Sequence, residues 1–260
     1  MKITVFTSNQ PRHAHLARSL STIADEVYCI QECNTVFPGQ VEDFYKKSDV
    51  MQAYFANVMA SEKKIFGDID FLPRNVRTLA VKSGDLNKLN RQQLGKAMNS
   101  DIYIVFGASY IKGWLIDELI KSRAVNIHMG VSPYYRGSSC NFWALYDNRP
   151  NYVGATVHEL SKGLDSGKMY FHCLPKLRPE DSSFDFTMRS VKVAHDALVS
   201  RISDGSIFEM DTVRQDKKQE IRYTRNSDFN DDVAKAFLER PHHPVLDESQ
   251  YPELVKPYFS

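Results

Sequence analysis

The sequence predicts an α/β protein with a doubly wound, mostly parallel sheet that has a mixed edge, followed by a small C-terminal extension. Three observations lead to this prediction. Short β-branched runs alternate with amphipathic segments over most of the chain, which is typical of βαβ units. Two late strand-like runs are joined by a glycine-containing loop, which suits an antiparallel hairpin at one edge. After Gly205 the composition changes, and acidic residues become more frequent than basic ones.

The first half of the chain supplies the parallel strands. Strands at residues 2–6 and 26–30, joined by a helical stretch at 13–24, form a βαβ pattern. Apolar side chains at helical spacing predict a long helix within residues 41–66, namely at Val41, Phe44, Tyr45, Val50, Met51, Tyr54, Phe55, Val58, Met59 and Ile65. The elements that follow are, in order, a strand at 76–81, a helix near 91–98, a strand at 101–106, a helix near 112–121 and a strand at 124–128.

The second half supplies the mixed edge and the closing helix. A helix is expected at 139–147, and strands near 153–160 and 168–174 can pair as a hairpin through the loop between them. A helix at 184–202 then completes the main domain, to which we assign residues 1–205.

Residues 206–260 form the predicted extension, with a role in packing or dimerisation. They contain 8 Lys or Arg and 11 Asp or Glu, a net charge of about −3. One helix is predicted at 230–239, with acidic residues in its first turn, where they favour a helix. The proline-interrupted end at 241–260 is expected to lie over the surface.

Composition excludes several classes of partner. The chain has 33 Lys or Arg against 32 Asp or Glu, so it carries no overall basic field to attract nucleic acid. No apolar run approaches the length of a membrane span, and the N-terminal residues lack the apolar core of a signal peptide. We therefore expect a cytoplasmic protein. Cys29 and Cys33 form the only close cysteine pair, so we expect reduced thiols and no metal site.

Three polar side chains form a candidate site. Asn126 and His128 are two apart on a predicted strand, so they project from the same face near its carboxyl end. Gly107 marks the end of the neighbouring strand, and Asp165 lies in a loop between two glycines. Ligands of open α/β sheets bind at the carboxyl ends of strands. An amide, an imidazole and a carboxylate could therefore share one pocket.

These three groups suit the attack of an amine on a carbonyl. The amide and the imidazolium can stabilise the developing oxyanion, while the carboxylate keeps the imidazole protonated and helps to remove the surplus proton. No serine or cysteine is clearly activated, which favours direct transfer without a covalent enzyme intermediate. Each feature alone is also compatible with an ordinary strand end or turn, so composition and spacing stop at an α/β protein with a polar pocket.

The motifs "NIHMGVSPYYRG", "WALYD" and "GATVHELSKGLDSG" together resemble those of the folate-dependent formyltransferase family. The family includes glycinamide ribonucleotide, methionyl-tRNA and nucleotide-amino-sugar formyltransferases. The resemblance implies a Rossmann-like formyltransferase fold over roughly residues 1–203. It also implies N-formyltransferase activity, with Asn126, His128 and Asp165 as the catalytic residues.

The resemblance implies 10-formyltetrahydrofolate as the formyl donor and no metal. The donor would lie between the segment after the fourth strand and the loop that carries Asp165, with contacts from Tyr110, Ile111, Lys112, Leu160, Lys162, Gly163 and Leu164. Relatives often have an arginine-containing segment where this chain has Tyr110-Ile111-Lys112.

The chain looks most like the sugar N-formyltransferases, which act on nucleotide-linked deoxyaminosugars for surface polysaccharides such as O-antigen. Relatives are commonly dimers, and we expect a homodimer. Candidate acceptor contacts are Asn9, Arg12, Ser132, Tyr134, Tyr135, Arg136 and Trp143.

Other functions remain open. The chain shows neither the glycine-rich phosphate loop of glycinamide ribonucleotide enzymes nor the additional basic barrel of methionyl-tRNA enzymes. Hydrolysis of 10-formyltetrahydrofolate, with water as acceptor, and a non-catalytic nucleotide-binding module are further alternatives. Release of formate without an amine would favour the former. A non-catalytic module predicts that the wild type catalyses no reaction and that the His128→Ala variant binds its ligand with unchanged affinity.

Overall fold

The structure is a computed structural model that describes residues 1–43, 47–240 and 243–260. Its strands are β1 (Lys2–Thr7), β2 (Glu26–Cys33), β3 (Val76–Lys82), β4 (Ile102–Phe106), β5 (Val125–His128), β6 (Tyr135–Gly137), β7 (Ala155–Glu159), β8 (Met169–Leu174), β9 (Arg222–Thr224) and β10 (Tyr258–Phe259). Its α-helices are α1 (Pro11–Ser21), α2 (Asp49–Phe66), α3 (Arg91–Leu94), α4 (Gly113–Lys121), α5 (Cys140–Tyr146), α6 (Ser183–Ser203), α7 (Ser206–Glu209) and α8 (Asp231–Leu238).

Within the described ranges, eight strands form one sheet in the order β10-β8-β7-β5-β4-β1-β2-β3. Strand β7 runs antiparallel to both of its neighbours, β5 and β8, whereas the other pairings in this sheet are parallel. The predicted parallel sheet with a mixed edge is therefore confirmed, and β7 and β8 form the predicted hairpin.

Helices cover both faces of the sheet. On one face, Leu16 and Leu20 of α1 pack with Ala194 and Leu198 of α6 against the central strands. On the other face, Leu115 and its neighbours in α4 pack against β4 and β1. Central strand β4 is buried along its whole length, as expected for a strand covered on both sides. The sheet is therefore doubly wound.

The strand order reverses between β1 and β4. The chain runs outward from β1 through β2 to β3, then returns to place β4 on the other side of β1. A crevice forms at the carboxyl ends of the strands at such a switch point. Gly107, directly after β4, has φ of +71°, and a Cβ there would lie 2.3 Å from Nε2 of His13. Only glycine permits this close approach.

Two helices differ from their predicted extents. Helix α2 begins at Asp49, because the hydroxyl of Ser48 accepts the backbone N–H of Met51 and caps the helix. Val41 lies before this helix, and the predicted positions Phe44 and Tyr45 lie outside the described residues. The helix predicted near 91–98 is α3 followed by a short 3₁₀ turn, since Gly95 has φ of +49°.

The extension joins the body of the protein through two short strands. Strand β9 pairs in parallel with β6, and β10 adds in parallel to the outer side of β8. Phe237 of α8 is buried against the rings of Phe142 and Phe184. The expectation that residues 241–260 lie over the surface is wrong for Tyr258–Phe259, which continues the main sheet.

Among the described residues, none of the helices combines the length and the apolar character needed to cross a bilayer. All four cysteines are free thiols, and three of them are buried.

Candidate active site

The three predicted catalytic side chains lie together beside the carboxyl end of β5. Asn126 and His128 project from the same face of β5, and Asp165 lies in the turn between β7 and β8. Nδ1 of His128 is 3.3 Å from Oδ2 of Asp165, and both side chains are largely buried. The structure therefore supplies an imidazole–carboxylate pair next to an amide.

His158 is a fourth member of this group and was not among the predicted site residues. It lies opposite Asn126 in the antiparallel pairing of β5 with β7, and its Nε2 is 3.0 Å from Nδ2 of Asn126. Nδ1 of His158 is 2.8 Å from the backbone carbonyl of Glu159. A carbonyl only accepts, so Nδ1 carries a proton, which leaves Nε2 to accept an N–H of Asn126. The same Nε2 is 3.8 Å from Oδ1 of Asp165, so His158 contacts two members of the group. The second N–H of the Asn126 amide remains for a ligand.

The electrostatics of the pair keep both partners charged. Burial acts to lower the pKa of His128, but the carboxylate of Asp165 and the thiol of Cys140 outweigh it and hold this pKa well above its ordinary value. For Asp165, burial acts to raise the pKa, and the His128 imidazolium beside it lowers the pKa overall. The site thus holds an imidazolium and a carboxylate at neutral pH.

Two cavities meet at His128. The larger, of about 550 Å³, is bounded by the segment that follows β4 and by the turn between β7 and β8. The smaller, of about 320 Å³, lies among α2, α5, α6 and α8 and has a mainly apolar lining that includes Val58, Phe142 and Phe237. Arg12 and His128 line both cavities. Two reactants could therefore approach His128 from two sides.

Most of the predicted donor contacts lie on the larger cavity, namely Tyr110, Ile111, Leu160, Gly163 and Leu164. Lys112 and Lys162 lie outside it, in a smaller depression nearby. Lys162 pairs there with Asp117 at 2.8 Å, and its backbone carbonyl accepts the hydroxyl of Tyr110. The hydrogen bond of Tyr110 thus joins the two walls of the larger cavity, which are the segment after β4 and the turn between β7 and β8.

The buried carboxylate of Glu32 fixes the first of these walls. It accepts the backbone N–H of Ser109 at 2.6 Å, the hydroxyl of Ser109 at 2.9 Å and the backbone N–H of Gly84 at 2.7 Å. This role is not visible in the sequence, because Glu32, Gly84 and Ser109 are far apart in the chain.

Of the seven predicted acceptor contacts, Arg12 alone lines the two cavities, and it pairs with Glu62 at 2.8 Å. Asn9 lines neither cavity and is bonded to the backbone of Asn34. The structure does not bring the other five to the two cavities: Ser132, Tyr134, Tyr135, Arg136 and Trp143.

These five side chains are buried in the packing of the protein. The hydroxyl of Tyr134 donates to the carbonyl of Glu253, and that of Tyr135 donates to Asp147. Ser132 is fully buried, Arg136 is paired with Glu220, and the ring of Trp143 lies under the guanidinium of Arg222. A polar or aromatic residue beside a site motif can thus pack in the protein interior instead of contacting a ligand.

Comparison with known proteins identifies the family. Residues 1–202 match the model of the formyl transferase family, so the chain belongs to this family. Among the described residues, no group of three or more His, Cys, Asp or Glu is arranged to hold a metal ion.

Curated relatives match part of the chain. The methionyl-tRNA formyltransferase of Hydrogenovibrio crunogenus is 25% identical over 124 residues, which is 48% of this chain and 39% of that protein. The match therefore spans well under half the length of this relative.

Solved structures share the fold. Phosphoribosylglycinamide formyltransferase from Anaplasma phagocytophilum is 14% identical, with a TM-score of 0.53 over 87% of this chain and 99% of that chain. An N-formyltransferase from Helicobacter canadensis, in complex with folinic acid and dTDP-3-aminofucose, is also 14% identical, with a TM-score of 0.51 over 88% and 72%.

Proposed function

We propose that this protein transfers a formyl group from 10-formyltetrahydrofolate to the amino group of a nucleotide-linked deoxyaminosugar. The observation that carries the proposal is the meeting of two cavities at the His128–Asp165 pair, with the amide of Asn126 beside it. Family membership supports formyl transfer as the reaction.

The larger cavity fits the donor. Its volume of about 550 Å³ is in the range of small-molecule sites, and it is lined by residues of the segments 107–111 and 160–165. Tyr110, Ile111, Leu160, Gly163 and Leu164 would hold it. When bound, the folate supplies an activated formyl carbon, and its own nitrogen is the leaving group.

Each side chain of the site has a separate task in the transfer. The acceptor nitrogen forms a bond to the formyl carbon as the bond to the folate nitrogen breaks. The free N–H of Asn126 and the imidazolium of His128 stabilise negative charge on the formyl oxygen. Asp165 keeps His128 protonated and, directly or through water, accepts the proton that the amine loses. The proton finally replaces the formyl group on the folate nitrogen.

The smaller cavity suits the amine-bearing part of the acceptor. It adjoins His128, and the guanidinium of Arg12 also lies on its lining. The sugar-formylating neighbour in complex with a dTDP-linked aminosugar supports a sugar acceptor. The similarity to methionyl-tRNA and glycinamide ribonucleotide enzymes supports the second candidate, another amine acceptor, in the same site.

The test is a panel of amines supplied with 10-formyltetrahydrofolate. Nucleotide-linked aminosugars with dTDP, UDP and GDP carriers, glycinamide ribonucleotide and methionyl-tRNA are compared by release of tetrahydrofolate and by the mass of the product. We expect turnover with an aminosugar and its loss in the His128→Ala variant. Turnover with another amine alone would reassign the acceptor. Release of formate without any amine would favour hydrolysis.

We further propose a cytoplasmic homodimer that serves surface polysaccharide synthesis. Half-exposed apolar side chains on the extension support a contact between two copies, namely Phe208, Val213, Ile221 and Tyr223. Light scattering measures the mass in solution. A monomer at micromolar concentration would contradict the dimer.

A further inference from the structure

The turn that carries Asp165 is bonded to the C-terminal extension. Asp165 has φ of +47°, a conformation that favours glycine and that aspartate keeps where its surroundings hold it. Nε2 of Gln215 donates to the backbone carbonyl of Asp165 at 2.8 Å and to that of Gly167, also at 2.8 Å. One amide group therefore bonds the turn at two points, on Asp165 itself and two residues later.

Gln215 is itself fixed in place. Val213, two residues earlier, forms an antiparallel bridge with Met169, and both N–H···O distances are 2.8 Å. Met169 is the first residue of β8, the strand into which the turn leads. The segment that carries Gln215 is thus attached to the same hairpin whose turn its side chain bonds.

A second side chain reinforces this arrangement. Arg136, which is 8% exposed, donates from Nη2 to the carbonyl of Leu164 at 3.1 Å. Its Nη1 is 2.8 Å from Oε2 of Glu220, which belongs to the extension. Two side chains therefore bond three carbonyls of the turn, and both of them depend on residues 206–260.

We propose that Gln215 is a positioning residue for Asp165: its two hydrogen bonds keep the carboxylate facing His128, which makes the extension a working part of the active site. The proposal rests on the proposed formyl transfer in one respect, which is the catalytic task assigned to the His128–Asp165 pair. The ionisable groups that face His128 are Asp165, Cys140, His158 and Arg12. Gln215 is uncharged, so its loss changes the charge state of His128 only through the geometry of Asp165.

The experiment measures the titration of His128 by NMR in the full chain, together with kcat. We expect Gln215→Ala to lower the measured pKa of His128 by about half a pH unit or more and kcat by about tenfold, because small misplacements of catalytic groups cost this much. Gln215→Lys keeps N–H donors and should retain more activity. Gln215→Glu presents oxygens to the carbonyls and should be at least as impaired as Gln215→Ala. The matched control is Gln219→Ala at an exposed position.

Two results would overturn the proposal: an unchanged His128 titration and kcat in Gln215→Ala, or wild-type behaviour of Gln215→Glu. If Gln215→Ala does not fold, the comparison of Gln215→Lys with Gln215→Glu decides. The titration requires no acceptor. Failure to find any formylated amine would therefore count against the proposed function. It would not affect the test of whether Gln215 positions Asp165.

Discussion

The amide of Asn126 is oriented by a residue on the neighbouring strand. His158 accepts one N–H of this amide, and the backbone carbonyl of Glu159 fixes which nitrogen of His158 can accept. The amide is therefore oriented before any ligand binds, which is what stabilisation of a developing oxyanion requires.

Replacement of His158 should lower kcat. In His158→Phe the amide of Asn126 loses its acceptor and can rotate, so we expect kcat to fall by about tenfold. His158→Gln can still accept through its side-chain oxygen and should keep more activity. Steady-state kinetics with a fixed amine measure both variants. Equal activity of His158→Phe and the wild type would show that Asn126 needs no support.

Loss of the Asp165 carboxylate should reduce the rate and change its pH dependence. We expect Asp165→Asn to lower kcat by about 10²-fold or more. In the wild type, His128 stays protonated until the pH exceeds its raised pKa, so activity should fall only as the pH rises through that value. Without the carboxylate, burial lowers the pKa of His128, and the alkaline limb of the pH–rate profile should move to lower pH.

The control for this prediction is Asp117→Asn, which removes an exposed carboxylate paired with Lys162 and should change kcat by no more than about twofold. An alkaline limb that does not move in Asp165→Asn would mean that a different group controls the pH profile.

At the scale of elements, the contact of β9 with β6 and α5 depends on one carboxylate. Asp147 accepts from the hydroxyl of Tyr135 at 3.0 Å and from two nitrogens of Arg222 at 2.6 and 2.9 Å. The guanidinium of Arg222 also lies 4.7 Å from the ring centre of Trp143. Three elements therefore share a single ionic and aromatic contact.

Removal of this carboxylate should destabilise the fold. We expect Asp147→Asn to lower the free energy of unfolding by about 2 kcal/mol, since it weakens several charge-assisted hydrogen bonds at once. Urea unfolding measures the change. The matched control is Asp68→Asn, whose exposed ion pair with Lys63 should contribute less than about 1 kcal/mol. Equal effects of the two variants would contradict the role of Asp147.

Elements with clear hydrophobic periodicity can be predicted from the sequence, whereas the shortest elements cannot. The strands of the main sheet up to β8 and helix α6 follow from runs of apolar residues. Strands β6, β9 and β10 have two or three residues each, which is too short for any period to be seen. Arg136 pairs with Glu220, 84 residues away, and no local pattern in the sequence reveals such a contact.

At the scale of the whole molecule, buried histidines link stability to pH. His13 and His195 are buried between α1, α6 and the sheet, and burial holds the pKa of each well below the ordinary value of 6.5. As the pH falls below about 6.5, the unfolded chain gains protons that the folded chain does not. Stability contributed by these residues is therefore present above that pH and is lost on acidification.

We expect the free energy of unfolding to fall between pH 6.5 and 5 by roughly 1 kcal/mol per pH unit for each such histidine. His195→Leu should make this dependence shallower. The measurement is urea unfolding at several pH values. His128 acts in the opposite sense, because its raised pKa adds stability below pH 6.5 that is lost as the pH rises through the folded value. A His195→Leu profile as steep as the wild type would contradict the prediction.

The register of β5 against β7 decides which side chains enter the active site. Asn126 lies opposite His158, and His128 lies opposite Thr156, so a shift of one residue would turn all of these side chains to the other face. The connection at 129–154 is tied to the same side chains, because Nε2 of His128 is 3.2 Å from the carbonyl of Tyr135 and Arg136 donates to the carbonyl of Leu164. A change in the length of this connection would therefore disturb the His128–Asp165 pair even where the register of the two strands is kept.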